Sequence, residues 1–129
     1  MTFIDAIAKY WRGYADFKTR TSKTTYWWSV LFVILAGMII QALAPGYDTQ
    51  EVILGYPYTQ HHDSAIYNAW QLATFLPNIA LLVRRLRDTN RSGTNAWFLA
   101  LPIVGWIILL VWTLEKGTPG ANNYGDQSA

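Results

Sequence analysis

The chain has 129 residues, enough for one domain. With 52% hydrophobic and only 14% charged residues, its mean hydropathy of +0.11 is high for a soluble protein. The formal net charge of +2 does not suggest a nucleic-acid partner, and the absence of cysteine excludes disulfides, thiolate metal sites and cysteine nucleophiles.

The N-terminal stretch FIDAIAKYWRGYADFKTR has a helical period. Phe3, Ile4, Ile7, Ala8, Trp11, Tyr14 and Ala15 fall on one side. Asp5, Lys9, Arg12 and Asp16 fall on the other, with opposite charges four apart at Asp5–Lys9 and Arg12–Asp16. The pattern predicts an amphipathic helix over residues 3–18, lying in the headgroup layer or docking its apolar side on the ends of membrane spans.

Residues 26–43, YWWSVLFVILAGMIIQAL, hold no charge over 18 positions. At about 1.5 Å per residue such a helix reaches roughly 27 Å, close to the thickness of a bilayer core. The run is longer than a signal-peptide apolar region, and Pro45 follows Ala42–Leu43–Ala44 directly, so it reads as an uncleaved anchor. The segment APGYDTQEVILGYPYTQHHDS reads as an irregular, Tyr-rich loop on the interface. Its His61, His62 and Asp63 are adjacent and therefore diverge, which makes a poor chelate, so no metal is expected.

Residues 66–83 form a second uncharged run of 18. Gln71, Thr74 and Asn78 share one face, with Ala69 and Ala73 close by at small-xxx-small spacing. Two readings stand: a helix-packing face of amides and small residues, or a polar pathway for a solute. The spans lack ionisable groups, which favours packing.

RRLRDTNRSG, residues 84–93, follows. If the helix continues, Arg84, Asp88 and Arg91 form one stripe, and Arg85 and Arg87 point away from it, toward headgroup phosphates. Gly93 suits a left-handed position after the helix, and Thr94 or Asn95 suits the cap of the next. Residues 95–114 give a third span of 20 uncharged residues, interrupted by Pro102 and Gly105. It crosses as a kinked helix, or it turns back as a re-entrant hairpin. The tail, 115–129, is rich in turn formers.

Lys9, Arg12, Lys18, Arg20 and Lys23 precede the first span, and four arginines separate the second from the third. Residues 44–65 have no Lys or Arg. The positive-inside rule puts the N-terminus and residues 84–94 in the cytoplasm and residues 44–65 outside. Three crossings put the tail outside as well; a re-entrant third run keeps it inside.

FKTRTSKTTYWW (17–28), RRLRDTNRSG (84–93) and GTPGANNYG (117–125) resemble, in order, the signatures of the bacterial inner-membrane family called domain of unknown function 805. The matching positions are Phe17, Arg20, Tyr26 and Trp27; then Arg84, Arg85, Leu86, Asp88, Arg91, Ser92 and Gly93; then Gly117, Thr118, Gly120, Asn122, Tyr124 and Gly125. Thr19, Lys23 and Arg87 stand where the pattern has glycine, arginine and histidine, so a proton-transfer role is not carried over to position 87. The resemblance implies an integral inner-membrane protein and supplies no activity.

The expectation is therefore an all-α membrane protein of three transmembrane helices and an interfacial helix. Its main polar site is a cluster of Arg20, Arg84, Arg85, Asp88 and Arg91, in which Asp88 accepts from Arg20, Arg84 or Arg91 and fixes the N-terminal segment against the turn. The rival reading is a site for an anionic headgroup or a phosphorylated molecule. Expected partners are the bilayer, anionic headgroups and another membrane protein or a second copy of the chain, with no nucleic acid. No cofactor is expected. No catalytic set is recognisable, so the chain reads as a non-enzyme acting through contacts, or as a subunit of an oligomeric transporter or channel.

Overall fold

A computed structural model describes residues 2–125. In chain order it has α1 (Phe3–Arg12), α2 (Lys23–Leu43), β1 (Tyr47–Ile53), β2 (Tyr56–His62), α3 (Ala65–Asp88), a 3-10 helix (Gly93–Ala100) and α4 (Val104–Leu114). The chain is mostly helical, as its apolar runs predict, with a β-hairpin where an irregular loop is expected.

α2 and α3 are antiparallel. The start of α2 lies beside the end of α3, where Thr21 N–H donates to Arg84 O at 3.1 Å. At the other end Gln41 Nε2 donates to Asp63 Oδ1 at 3.1 Å. The pair is in contact at Gly37, where a β-carbon would meet Tyr67 and Trp70 at an ordinary van der Waals distance of 3.7 Å. Both helices are long and apolar enough to cross a membrane. Only 11% of the apolar window of α2 is covered by the rest of the chain, whereas a core helix of a soluble protein is mostly covered. Large apolar side chains such as Ile34, Met38, Ile39, Leu72 and Phe75 face outward, while Thr25, Ser29, Arg84, Arg85 and Asp88 are buried. An exposed surface of that kind suits hydrocarbon rather than water.

α1 docks. Its capping box, Thr2 with Asp5, starts the helix, and it ends at Arg12 with Gly13 as the C-cap, six residues short of the expected end. Asp16 breaks the helical continuation by accepting from the N–H groups of Lys18 (2.9 Å) and Thr19 (3.1 Å), a local turn that competes with helix. Neither expected charge pair on α1 forms among the described residues, because Asp5 and Asp16 are engaged by these caps. Ala6 and Tyr10 are fully buried, and Tyr10 Oη donates to Asn78 Oδ1 at 2.7 Å. Phe3, Tyr10 and Trp11 meet Trp28, Phe32 and Trp70 in tilted and edge-on ring contacts. Desolvation raises the Tyr10 hydroxyl above its ordinary pKa and keeps it a donor.

The hairpin pairs Tyr47 with His62 through to Ile53 with Tyr56. β-Branched and aromatic residues at 49, 52, 53, 56, 58 and 59 favour strand, and Leu54–Gly55 forms the two-residue turn, both at positive φ (52° and 83°). His61 and His62 diverge: His61 Nδ1 lies 2.7 Å from Asp48 Oδ1, and His62 Nε2 lies 2.9 Å from Thr49 Oγ1. Leu54 is strained, since a left-handed backbone costs an L residue with a bulky side chain about 1–2 kcal/mol. Leu54→Asn is expected to tighten the hairpin by about 1 kcal/mol, read as slower hydrogen exchange at 47–62. Unchanged or faster exchange would show that the turn is not strained.

Residues 95–114 are not one helix, which corrects the expectation of a continuous third transmembrane helix. The 3-10 helix leads to a tight turn at Ile103 (φ 67°, ψ −67°), where Val104 N–H donates to Pro102 O at 2.8 Å, and α4 folds back. Phe98 and Trp112 make an edge-on contact with centroids 5.2 Å apart. In a straight helix fourteen residues would separate them by roughly 21 Å. Proline removes a helical donor and glycine lets the two limbs touch: a β-carbon on Gly105 would collide with Phe98 O. α4, with 11 residues, is roughly 16 Å long, about half a bilayer core.

Candidate functional site

The end of α3 carries the site. Asn90, at φ 63°, supplies the left-handed residue that stops the helix, with Asn90 N–H donating to Arg87 O (3.0 Å) and Arg91 N–H to Leu86 O (2.9 Å). These are the two hydrogen bonds of a Schellman cap. Gly93, expected there, instead packs under Val83, whose Cγ1 would lie 2.6 Å from an added β-carbon. Ser92, rather than Thr94 or Asn95, caps the 3-10 helix.

Asp88 sits at the centre, 2% exposed, between Arg20 (1%) and Arg85 (0%). Arg20 Nε donates to Asp88 Oδ1 at 3.1 Å, and its Nη2 lies 3.0 Å from the same oxygen. Arg85 Nη1 donates to Oδ2 at 2.6 Å. The arginines then reach outward to carbonyls. Arg20 donates from Nη1 to Gly120 O (2.6 Å) and Gly125 O (3.1 Å), and from Nη2 to Thr118 O (2.6 Å). Arg85 donates from Nε to Thr113 O (3.1 Å), from Nη1 to Thr21 O (3.3 Å) and from Nη2 to Glu115 O. Thr113 and Glu115 close α4, so Arg85 meets orphan carbonyls at the negative end of that helix.

The tail completes this knot. Thr118 N–H donates to Asp88 O at 2.8 Å, and Asn122 Nδ2 to Arg87 O at 2.9 Å. A β-carbon on Gly117 would collide with Asp88 Oδ2, so glycine is required for contact rather than for backbone freedom. Arg87 Nη1 donates to Lys18 O at 3.1 Å, and its guanidinium lies 5.0 Å from the Tyr124 ring centroid. The tail, the arginine turn and the segment before α2 thus meet at one end of the α2–α3 pair.

Of the expected cluster, the structure brings together Arg20, Arg85 and Asp88. Arg85 is not free for headgroups: three residues before Asp88 on the same helix, it turns inward onto it. Arg91 leaves Asp88 and forms a two-point pair with Glu115 (2.7 and 3.2 Å), stacked 4.7 Å from the Trp112 ring centroid. Arg84 also lies apart, donating to Thr21 Oγ1 (2.9 Å), Gly13 O (2.5 Å) and Asp16 O (3.1 Å). Sequence reasoning singled out Gly117, Thr118, Gly120 and Gly125 without pairing them with the arginines, and it missed Thr113 and Glu115 altogether; the dense turn chemistry of 117–125 was the signal for the first four.

The expected packing face is divided. Thr74 is buried and donates to Trp70 O at 2.9 Å, and Asn78 accepts from Tyr10. Gln71, Ala69 and Ala73 are exposed. Gln71 lines a groove of about 660 Å³ between α2 and α3, together with Gly37, Gln41 and Asn78. Among the described residues no group of His, Asp and Glu is placed to hold a metal.

Asp16 tethers the turn under Arg84. Burial opposes its ionisation, but hydrogen bonds from Thr19 Oγ1 and the N–H groups of Lys18 and Thr19 outweigh it, and its pKa is lowered. A lowered carboxyl pKa stabilises the fold above the unfolded value of about 3.9, and that contribution is lost as pH falls through the folded value. Amide protection at 16–19 is therefore expected to fall as pH drops below the unfolded value and through the lower folded one, and Asp16→Asn to show the unprotected pattern throughout. Protection that ignores pH in the native chain would contradict this.

A family described as a protein of unknown function, DUF805, matches residues 14–126. The inner membrane protein YhaI of Escherichia coli K12 is 38% identical over 117 residues, 89% of this chain and 87% of that protein. The inner membrane protein YhaH of the same strain is 29% identical over 122 residues, covering 95% and 94%. No solved structure matches.

Proposed function

The chain belongs to the DUF805 family, whose relatives here are inner-membrane proteins, and from that premise we propose a non-catalytic role exercised through contacts at a rigid cytoplasmic face. The observation that carries this reading is the saturation of the Arg20–Asp88–Arg85 knot. Its carboxylate is held on both oxygens, and both arginines spend their remaining donors on backbone carbonyls. A reacting acid, base or nucleophile needs an open side; this carboxylate has none. Its work is to lock three chain segments into one surface that meets other membrane proteins or anionic lipids.

In this reading α2 and α3 cross the bacterial inner membrane, and the 3-10 helix with α4 dips into it and returns. The N-terminus, arginine turn and tail share the cytoplasmic side, where the basic residues concentrate, and the hairpin faces outward. Reporter fusions after residue 125 are expected to behave as cytoplasmic, and insertions at residue 54 as external. An external tail reporter overturns this topology. For the function, a photocrosslinker at exposed Asn90 is expected to give discrete adducts in native membranes that Asp88→Asn abolishes. Adducts that survive loss of the knot, or turnover by the purified chain, contradict the reading.

The groove with Gln41, Gln71 and Asn78 along it favours a second reading, one subunit of an oligomeric channel or transporter. Solute flux in liposomes that Gln71→Leu abolishes would select it.

A further inference from the structure

The arginines at this face differ in how their charge is met. Arg20 and Arg85 share Asp88, and Arg91 has Glu115. Arg87 and Arg84 form no ion pair among the described residues; Arg87 is half-buried over the Tyr124 ring, whereas Arg84 is 4% exposed. Arg84 Nε and Nη1 donate to three neutral oxygens, on Thr21, Gly13 and Asp16. Its Nη2 has no acceptor among the described residues. The Asp16 carboxylate acts on this guanidinium only through space, without an ion pair, so part of the cost of burying it is unmet, and an anion relieves that cost.

The space beside it fits one. Arg84 lines a cavity of about 190 Å³ whose wall also carries Lys9, Arg12, Asp16 and Thr19. Three cations face one carboxylate, which leaves the wall at +2. That carboxylate is already engaged by Thr19 Oγ1 and by the N–H groups of Lys18 and Thr19. Lys9 and Arg12 sit near the end of α1, and neither side chain makes a hydrogen bond or ion pair among the described residues. The site is built rather than incidental. Gly13 admits the Arg84 guanidinium, whose Nη1 would lie 2.5 Å from a β-carbon at that position. Charged forks of this kind recognise phosphoryl oxygens.

We propose that this cavity binds a phosphoryl group, with Arg84 Nη2 donating from the floor and Lys9 and Arg12 closing over it. The proposal deepens the reading of this face as a contact surface and rests on it. A phospholipid headgroup and a soluble phosphate offer the same chemistry, so both are tested.

The full chain in a nonionic detergent would be titrated with inorganic phosphate and, separately, with short-chain phosphatidylglycerol. The Lys9→Gln/Arg12→Gln double variant would be titrated alongside, its fold confirmed by an unchanged helical spectrum. Saturable one-to-one binding is expected, weakened at least tenfold in the variant and by added salt. Phosphate that competes with the lipid identifies the phosphoryl group as the shared determinant. Saturation by one probe alone identifies the source. No saturable binding of either probe, or binding indifferent to the double substitution, overturns the proposal. The Asn90 adducts provide the separation from the broader reading: adducts retained with phosphate binding absent sink only this site, whereas adducts lost with phosphate binding intact sink only the contact role.

Discussion

Asp88→Ala is expected to destabilise the protein by about 3–5 kcal/mol, the usual cost of removing one partner from a buried ion pair. Two guanidinium groups, each at most 1% exposed, would lose their common counter-charge and face each other across a void. The damage should spread along their other hydrogen bonds, loosening Thr21, the end of α4 and the tail turn together. Asp88→Asn should cost less, because one amide oxygen still accepts from Arg20 or Arg85 while the charge is gone. The measurement is unfolding of the detergent-solubilised chain, beside its steady-state level in membranes and cross-linking between the segment at 17–21 and the turn at 84–93. Native levels and native cross-linking in Asp88→Ala would mean that the knot does not organise this end of the protein.

Gly105→Ala carries the second large effect, about 3 kcal/mol, at the upper end of the usual cost of overpacking. The added methyl group would strike Phe98 O and crowd Leu101, and a backbone carbonyl has no rotamer by which to yield. The hairpin of the 3-10 helix and α4 must then open at Ile103, whose left-handed backbone already disfavours the closed form. Opening separates Phe98 from Trp112 and draws Thr113 and Glu115 away from Arg85. Because the native chain has no cysteine, one cysteine at Lys116 reports the outcome. An impermeant thiol reagent should reach it from the same side as an N-terminal cysteine in the native fold, and that pattern should degrade in Gly105→Ala. An unaltered pattern with unaltered stability would show that the limbs are not tightly apposed.

The long apolar helices were legible because hydropathy reports solvent preference directly. α2 and α3 contain the expected runs and extend beyond them, where Ser22 caps α2 and the last turn of α3 carries the arginines. The third run defeated the same reasoning. Its twenty uncharged residues satisfy a spanning test whether they run straight or double back, and only Pro102 and Gly105 hinted at the fold. Residues 47–62 were obscured in another way: Gly and Pro mark turns, and here they flank and punctuate strands. In the site, Asp88 and Arg20 could be linked by spacing and charge logic. The role of Arg85 could not, because i,i+3 pairing with Asp88 competes with an equally plausible outward rotamer. The carbonyl acceptors were out of reach, since backbone oxygens are identical at every residue and only the fold selects among them.

Arg20 takes three carbonyls that lie 98 to 105 positions further along the chain. During synthesis both apolar helices have been polymerised before Thr118, Gly120 and Gly125 exist. Until then this arginine has only Asp88 to satisfy it, and the nascent protein holds a half-met cation at the membrane surface. Closure of the knot therefore waits on the tail, so this end of the protein gains its full set of hydrogen bonds later than the α2–α3 pair that carries it.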